Sequence, residues 1–284
     1  MAVKLVKESV FEGVSILTVG QHPLRQPRLV VNLFAIDGLL IDTGPSRMQQ
    51  EVLSYVNSRH VNQIFVTHHH EDHTGNVALL AQTLDCPVYS SPRCAEMMKS
   101  PPRISFAQYM VWGNRLPYTG LEPIESTIRT DRYQFQLIPA PGHTPDQVVL
   151  YEPHQKWLFS ADLYVHHYIS YFLFSESVAQ QITSIEKVLT LDFETLFCCH
   201  IPPIKDGREK LEKKLRFLQQ FNDRVREEAS KGYSARKIMK TLQLKEKWPI
   251  RILSHGMLSQ LNMVQSVLND IESERQPPIR QAAS

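Results

Sequence analysis

One segment constrains this chain more than any other. The short apolar run Gln63-Ile64-Phe65-Val66 leads directly into Thr67-His68-His69-His70-Glu71-Asp72-His73. Loops at strand ends gather ligands, and here His68, His70, His73 and Asp72 bring three imidazoles and a carboxylate together within six residues. Neutral nitrogen donors beside an anionic oxygen are what a borderline divalent ion takes. His69 and Glu71 alternate with that set, so they are expected to point elsewhere and to hold no metal.

Around this segment the chain alternates strand and helix. Residues 14–19, 30–36 and 39–41 read as strands, the last two forming a hairpin about Asp37-Gly38. Residues 45–59 carry Met48, Val52, Leu53 and Val56 at helical spacing, and a helix over 76–83 precedes a strand at 87–89. Residues 101–117 are aromatic and proline-rich, an insertion or a helical lid. Strands resume at 128–130, 133–138, 147–151 and 156–160, followed by a helix over 178–189 and a strand at 195–199. This loose repeat predicts two α/β halves packed sheet against sheet with helices outside.

After Ile201-Pro202-Pro203 the pattern becomes helical. Leu211, Leu215, Leu218 and Phe221 lie on one stripe of residues 208–226, Ser234 caps a helix over 235–242, and a third helix is expected over about 253–271. Residues 276–284 read as a disordered tail. The boundaries are therefore 1–204, 205–275 and 276–284. Residues 205–284 carry 17 Lys and Arg against 10 Asp and Glu, a net +7, while residues 1–204 carry 14 against 19. Lys205, Arg208, Lys210, Lys213 and Lys214 stand out as a candidate surface for an acidic partner.

At 284 residues, with 42% hydrophobic and 21% charged residues, the chain can bury a full core, which excludes disordered and collagen-like classes. No apolar run reaches the length of a membrane span, and the first residues lack an apolar leader, so the expected location is the cytoplasm. Cys86, Cys94, Cys198 and Cys199 form no framework spacing and suit a reducing compartment. Cys198-Cys199 reads as two small apolar residues in a buried strand.

The segment His68-x-His70-x-Asp72-His73 resembles the signature of the metallo-β-lactamase superfamily. Four further segments resemble its other motifs, in the family's order: Asp42 in Leu40-Ile41-Asp42-Thr43-Gly44, His143 in Pro141-Gly142-His143-Thr144, Asp162 in Phe159-Ser160-Ala161-Asp162, and His200 after Phe197-Cys198-Cys199. The resemblance spans residues 14–204. It implies an αβ/βα four-layer sandwich as the catalytic domain, with a basic helical C-terminal domain appended.

It further implies two divalent metal ions, zinc by default and iron or manganese as other occupants. One would be held by His68, His70 and His143, the other by Asp72, His73 and His200, with Asp162 bridging. A hydroxide between the ions would then attack the substrate, with Asp72 and Asp42 as catalytic residues, Asp42 orienting a ligand or sharing the nucleophile's proton. Tyr164, His166, His167 and Tyr168 are expected to line the substrate pocket above the metals.

His73, where many true β-lactamases carry Arg, resembles the glyoxalase-II-like, lactonase-like and ribonuclease-like branches. The 37 residues between Asp162 and His200 exclude the nucleases with a large inserted domain. The expected activity is hydrolysis of a small-molecule ester or thioester, without membrane association and with a homodimer left open. The similarity of residues 254–261 to superfamily members related to the human β-lactamase-like ribonuclease keeps a metal-dependent single-strand endoribonuclease as the alternative. A metal-binding regulatory protein with little turnover is the second.

Overall fold

In a computed structural model, which describes residues 2–22 and 29–275, two sheets are stacked between two layers of helices. The expected tail, 276–284, lies outside the described residues. The first half opens as an antiparallel meander of β1 (Val3–Phe11), β2 (Val14–His22), β3 (Val31–Ile36) and β4 (Gly38–Ile41). Helix α1 (Gln49–Asn57) then carries the chain over to β5 (Val61–Val66), parallel to β4. Helices α2 (Glu71–Thr74) and α3 (Val77–Leu84) lead to β6 (Val88–Ser90); α4 (Pro92–Lys99) and α5 (Phe106–Trp112) lead to β7 (Leu121–Pro123). The seven strands lie in sequence order.

The second half repeats the plan. Strands β8 (Thr127–Arg129), β9 (Gln134–Pro139), β10 (Val148–Glu152) and β11 (Trp157–Phe159) run antiparallel. After β12 (Phe172–Leu173) and α6 (Val178–Val188), β13 (Thr195–Phe197) adds in parallel to β11. The chain ends with α7 (Gly207–Ser230), α8 (Ala235–Thr241), α9 (Trp248–Leu253), β14 (Leu258–Ser259) and α10 (Gln260–Arg275), and β14 pairs with β12. No helix among the described residues is long and apolar enough to cross a membrane.

The period-2 alternation of the second sheet divides the interior into two cores. Val148, Leu150, Trp157, Phe159 and Phe197 face the first sheet, where Phe34 packs edge-on against Phe159 and Phe197. Val149, Tyr151, Leu158 and Leu196 face the other way, onto Val178 and Ile185 of α6, Leu211 and Leu218 of α7, Ile238 of α8 and Val264 of α10. Each such buried Leu, Val or Phe contributes about 1.5–3 kcal/mol of transfer free energy. The C-terminal helices thus share a core with the second sheet.

Two of the departures from the sequence reading have a clear physical cause. Strand β1 was not expected, because Lys4, Lys7 and Glu8 break its apolar pattern; an edge strand tolerates this, since only one side of it is covered. The helix expected over 253–271 is interrupted. Residues His255 and Gly256 adopt positive φ (+49° and +81°), ending α9, and Ser259 Oγ accepts from the Asn262 N–H to start α10.

Candidate metal centre

Every motif residue sits just past a strand end, on one edge of the sandwich. Asp42 follows β4, His68 and His70 follow β5, Asp72 and His73 open α2, His143 lies between β9 and β10, Asp162 follows β11 and His200 follows β13. Asp42 and Ala161 take left-handed φ values of +62° and +44°. Such backbone is unfavourable for residues with a Cβ and persists where surrounding contacts over-determine it. At Asp42 those contacts are its N–H donated to Phe65 O and the Thr43 N–H and hydroxyl donated to His73 O.

The side chains converge in two sets. Donor atoms of His68, His70, His143 and Asp162 lie within 4.8 Å of one another, as do those of Asp72, His73 and His200. His70 Nδ1 and His143 Nε2 are 2.9 Å apart. Asp162 joins the sets: Oδ2 stands 3.2 Å from His143 Nε2, and Oδ1 stands 3.2 Å from His200 Nε2 and 3.5 Å from His73 Nε2. Asp72 Oδ2 is 3.5 Å from His200 Nε2 and 3.7 Å from His73 Nε2. Metal–nitrogen bonds of about 2.0–2.1 Å place tetrahedral donors roughly 3.4 Å apart, so these separations match a cation seated in each set. His68 Nε2, His73 Nε2 and Asp162 Oδ1 are buried without any hydrogen-bond partner. Buried polar atoms seldom go unsatisfied, and all three belong to the sets a metal would complete.

Nδ1 is held on four of the five rings, whereas His70 turns its Nδ1 toward His143. His73 Nδ1 meets Asp42 Oδ2 at 2.8 Å, His143 Nδ1 meets Glu176 Oε2 at 3.3 Å, and His200 Nδ1 meets Val30 O at 2.7 Å. Thr67 Oγ1 donates to the Asp42 carboxylate, so it accepts from His68 Nδ1, 3.1 Å away. Each of these four contacts places the proton on Nδ1 and leaves Nε2 as the donor atom.

The metallo-beta-lactamase superfamily pattern matches residues 29–200. The chain belongs to that superfamily. It is 30% identical over 171 residues to a hydroxyacylglutathione hydrolase of Idiomarina loihiensis, covering 57% of this chain and 55% of that enzyme. The chain thus spans about half the length of the hydroxyacylglutathione hydrolase it matches. A metallo-beta-lactamase family protein of Thermus thermophilus superposes with a TM-score of 0.66 at 16% identity, covering 94% of this chain and 95% of that one. A structure determined in a di-iron-bound form superposes with a TM-score of 0.54 at 27% identity, covering 66% and 96%.

Electrostatics in this superfamily member's site favour positive charge between the carboxylates. Burial opposes protonation of His73, yet Asp42, Asp72 and Asp162 hold its pKa well above the usual histidine value. Burial likewise opposes protonation of His143, but Glu176 and Asp162 raise it to about 10. His68 and His70 are pushed well down, by burial first and then by the neighbouring imidazoles.

His69 turns away from both sets. Its N–H and Nδ1 each lie 2.8 Å from the Asp146 carboxylate, and Arg115 donates to its carbonyl. Glu71 is buried 3.7 Å from Arg115, and burial together with Asp72 pushes it up to about 7. Asn32 of β3, 2% exposed, donates from Nδ2 to Cys198 O and Ile201 O and so braces the turn that carries His200. Cys199 Sγ lies 3.9 Å from Asp42 Oδ2, and burial raises its pKa well above that of a free thiol. Asn32, Asp146 and Glu176 were not singled out in the sequence. Only Asp146 left a signal, three residues after His143.

A cavity of about 480 Å³ opens over the two sets, walled by Trp112, Val165, His166, Tyr168, Ile169, Tyr171 and Leu173. His166 and Tyr168, two of the four residues expected at a pocket, line this cavity. Tyr164 does not. It is 2% exposed and packs in the second core with Leu163 and Phe172, because the chain leaving the Ala161–Leu163 turn dives inward before it surfaces. His167 stacks on His166 with centroids 4.1 Å apart and lies outside the cavity wall. Lys214, expected among surface cations, is 2% exposed at the cavity wall.

Proposed function

We propose that this protein is a dinuclear metal-dependent hydrolase that cleaves an ester or thioester of a small molecule. The observation that carries the reading is Asp162, whose carboxylate stands 3.2 Å from His143 Nε2 of one ligand set and 3.2 Å from His200 Nε2 of the other, beneath an aromatic cavity. His68, His70 and His143 would hold one ion, Asp72, His73 and His200 the other, and Asp162 both. Zinc suits these donors, and iron and manganese accept the same ones. Bound ions of this kind generate a nucleophile from water at neutral pH and polarise the acyl oxygen. The chain's own part is to fix the ring tautomers through Asp42, Glu176 and Val30, and to exclude bulk water with the cavity's aromatic wall.

Residues 1–204 supply every ligand, and residues 205–275 contribute Lys214, Lys247 and Leu258 to the wall. Free thiols and the absence of a membrane-spanning helix among the described residues accord with a cytoplasmic enzyme. Three of the five basic residues raised for nucleic acid are committed elsewhere: Lys205 to Glu12 at 3.4 Å, Lys213 to Glu209 at 2.5 Å, and Arg208 to the carbonyls of Leu189 and Leu191. That favours a small substrate over RNA.

The test is metal content of the purified protein beside turnover of glutathione and coenzyme A thioesters, simple esters, lactones and single-stranded RNA, with and without chelator. Chelator-sensitive ester or thioester cleavage at about two metal ions per chain is expected. Cleavage of RNA alone, or bound metal without turnover of any substrate, overturns the proposal.

A further inference from the structure

We infer that Lys214 binds a carboxylate on the acyl part of the substrate, so that the bond cleaved is an ester or thioester of a short dicarboxylic acid. The bond rests on the hydrolase reading above; the anion does not.

On α7, Leu211, Lys214 and Leu218 are spaced three and four apart on the buried face, so Lys214 occupies a position where the helix otherwise places an apolar residue. Its side chain is buried, and Nζ donates to Leu163 O at 2.6 Å. An ammonium has three N–H donors. Among the described residues this is its single hydrogen bond, and none of them lies within ion-pair distance. A buried cation needs an anionic partner, and leaving one unpaired is costly.

The chain does not offer that partner. Glu176 is engaged by His143, Gln181 and the Leu173 N–H, Glu71 faces Arg115, and Asp72 and Asp162 face the ligand imidazoles. Lys214 lines the metal cavity, which leaves that cavity as the direction from which an anion can arrive. Burial lowers its pKa to about 8, with Glu176 and Asp162 opposing, so the cationic form persists at neutral pH. Leu163, its anchor, is the residue after Asp162, which places the ammonium at the metal end of the cavity. Lys247, stacked 5.4 Å from the Tyr171 ring, stands elsewhere in the wall. A carboxylate reaching Lys214 while its ester lies at the ligand sets belongs to a short acyl chain.

The test pairs the N-acetylcysteamine thioesters of glutarate and pentanoate, which share a chain length and a neutral thiol and differ by one carboxylate. Wild type is expected to prefer the glutaryl thioester in kcat/KM by about 10- to 100-fold, the size of one charge-assisted hydrogen bond. In Lys214→Met and Lys214→Gln, two neutral variants chosen in case one fails to fold, the ratio falls to near one. A Lys214 that serves only to brace Leu163 would lower both activities and leave their ratio intact, which overturns the inference.

Calorimetric binding of 5-oxohexanoate and 2-hexanone, uncleavable ketones that differ by one carboxylate, gives a readout free of turnover. 5-Oxohexanoate should bind wild type at least about tenfold more tightly, with the difference lost in both variants. Equal affinity of wild type for the two ketones overturns the inference even where thioesters are cleaved. A difference that depends on Lys214, without cleavage of any ester, sustains the anion site and overturns the hydrolase reading.

Discussion

The Asp42 carboxylate meets His73 Nδ1 at 2.8 Å while accepting from the Thr67 N–H and hydroxyl. That hydroxyl in turn faces His68 Nδ1, so one buried carboxylate sets the proton position on a histidine of each ligand set. Asp42→Asn keeps the shape and presents an amide in place of one oxygen. Metal affinity is expected to fall about 10- to 100-fold, the usual effect of removing a carboxylate that orients a ligand imidazole. Competition titration with a chelator measures it, and wild-type affinity at both steps would refute the role.

Glu176 acts on one set alone, since its contact to the ligands is His143 Nδ1 at 3.3 Å. Glu176→Gln is expected to weaken one metal-binding step by a similar factor, about 10- to 100-fold, and to leave the other near wild type. Stepwise chelator titration separates the two. Equal weakening of both steps would mean that the sets do not bind independently.

The clustering of the candidate ligands was legible because ligation demands particular side chains at strand ends, and His68-x-His70-x-Asp72-His73 supplies them within one local segment. The sandwich was legible in the loosely repeated strand–helix order of the two halves, and the unbroken apolar run Val148-Val149-Leu150-Tyr151 is buried on both faces. What supports the site was not. Asn32 lies 166 residues from Cys198, and Glu176 lies 33 from His143, so their roles exist only once the sheets stack. Lys214 read as one cation of a charged run, although its place on the Leu211–Leu218 stripe marked it for burial. Tyr164 and Tyr168 share a composition signal and part company only in the turn after Asp162.

The four thiols differ sharply in access. Cys94, Cys198 and Cys199 are at most 1% exposed, while Cys86 is half-buried. Burial raises the pKa of each, and thiolate is the reactive form. A thiol reagent at pH 8 is expected to modify Cys86 in the folded protein, and all four after denaturation. Prompt loss of a second thiol in the native protein would place one of the buried three at the surface.

Lys214 should carry a measurable penalty. Its folded pKa of about 8 lies below the 10.5 of the unfolded chain, so below pH 8 the unfolded state holds a proton that the folded state retains only against desolvation. The penalty is complete below about pH 8 and disappears as pH rises through 10.5, because both states are then neutral. A shift of this size corresponds to roughly 3 kcal/mol, part of which the Leu163 hydrogen bond offsets. Lys214→Met is therefore expected to be more stable than wild type by about 1–3 kcal/mol at pH 7, with the gap narrowing toward pH 10.5. Urea unfolding of both proteins at the two pH values measures it. A variant less stable than wild type at pH 7 would show that Lys214 holds the fold together, and that its charge is not kept at the expense of stability for binding.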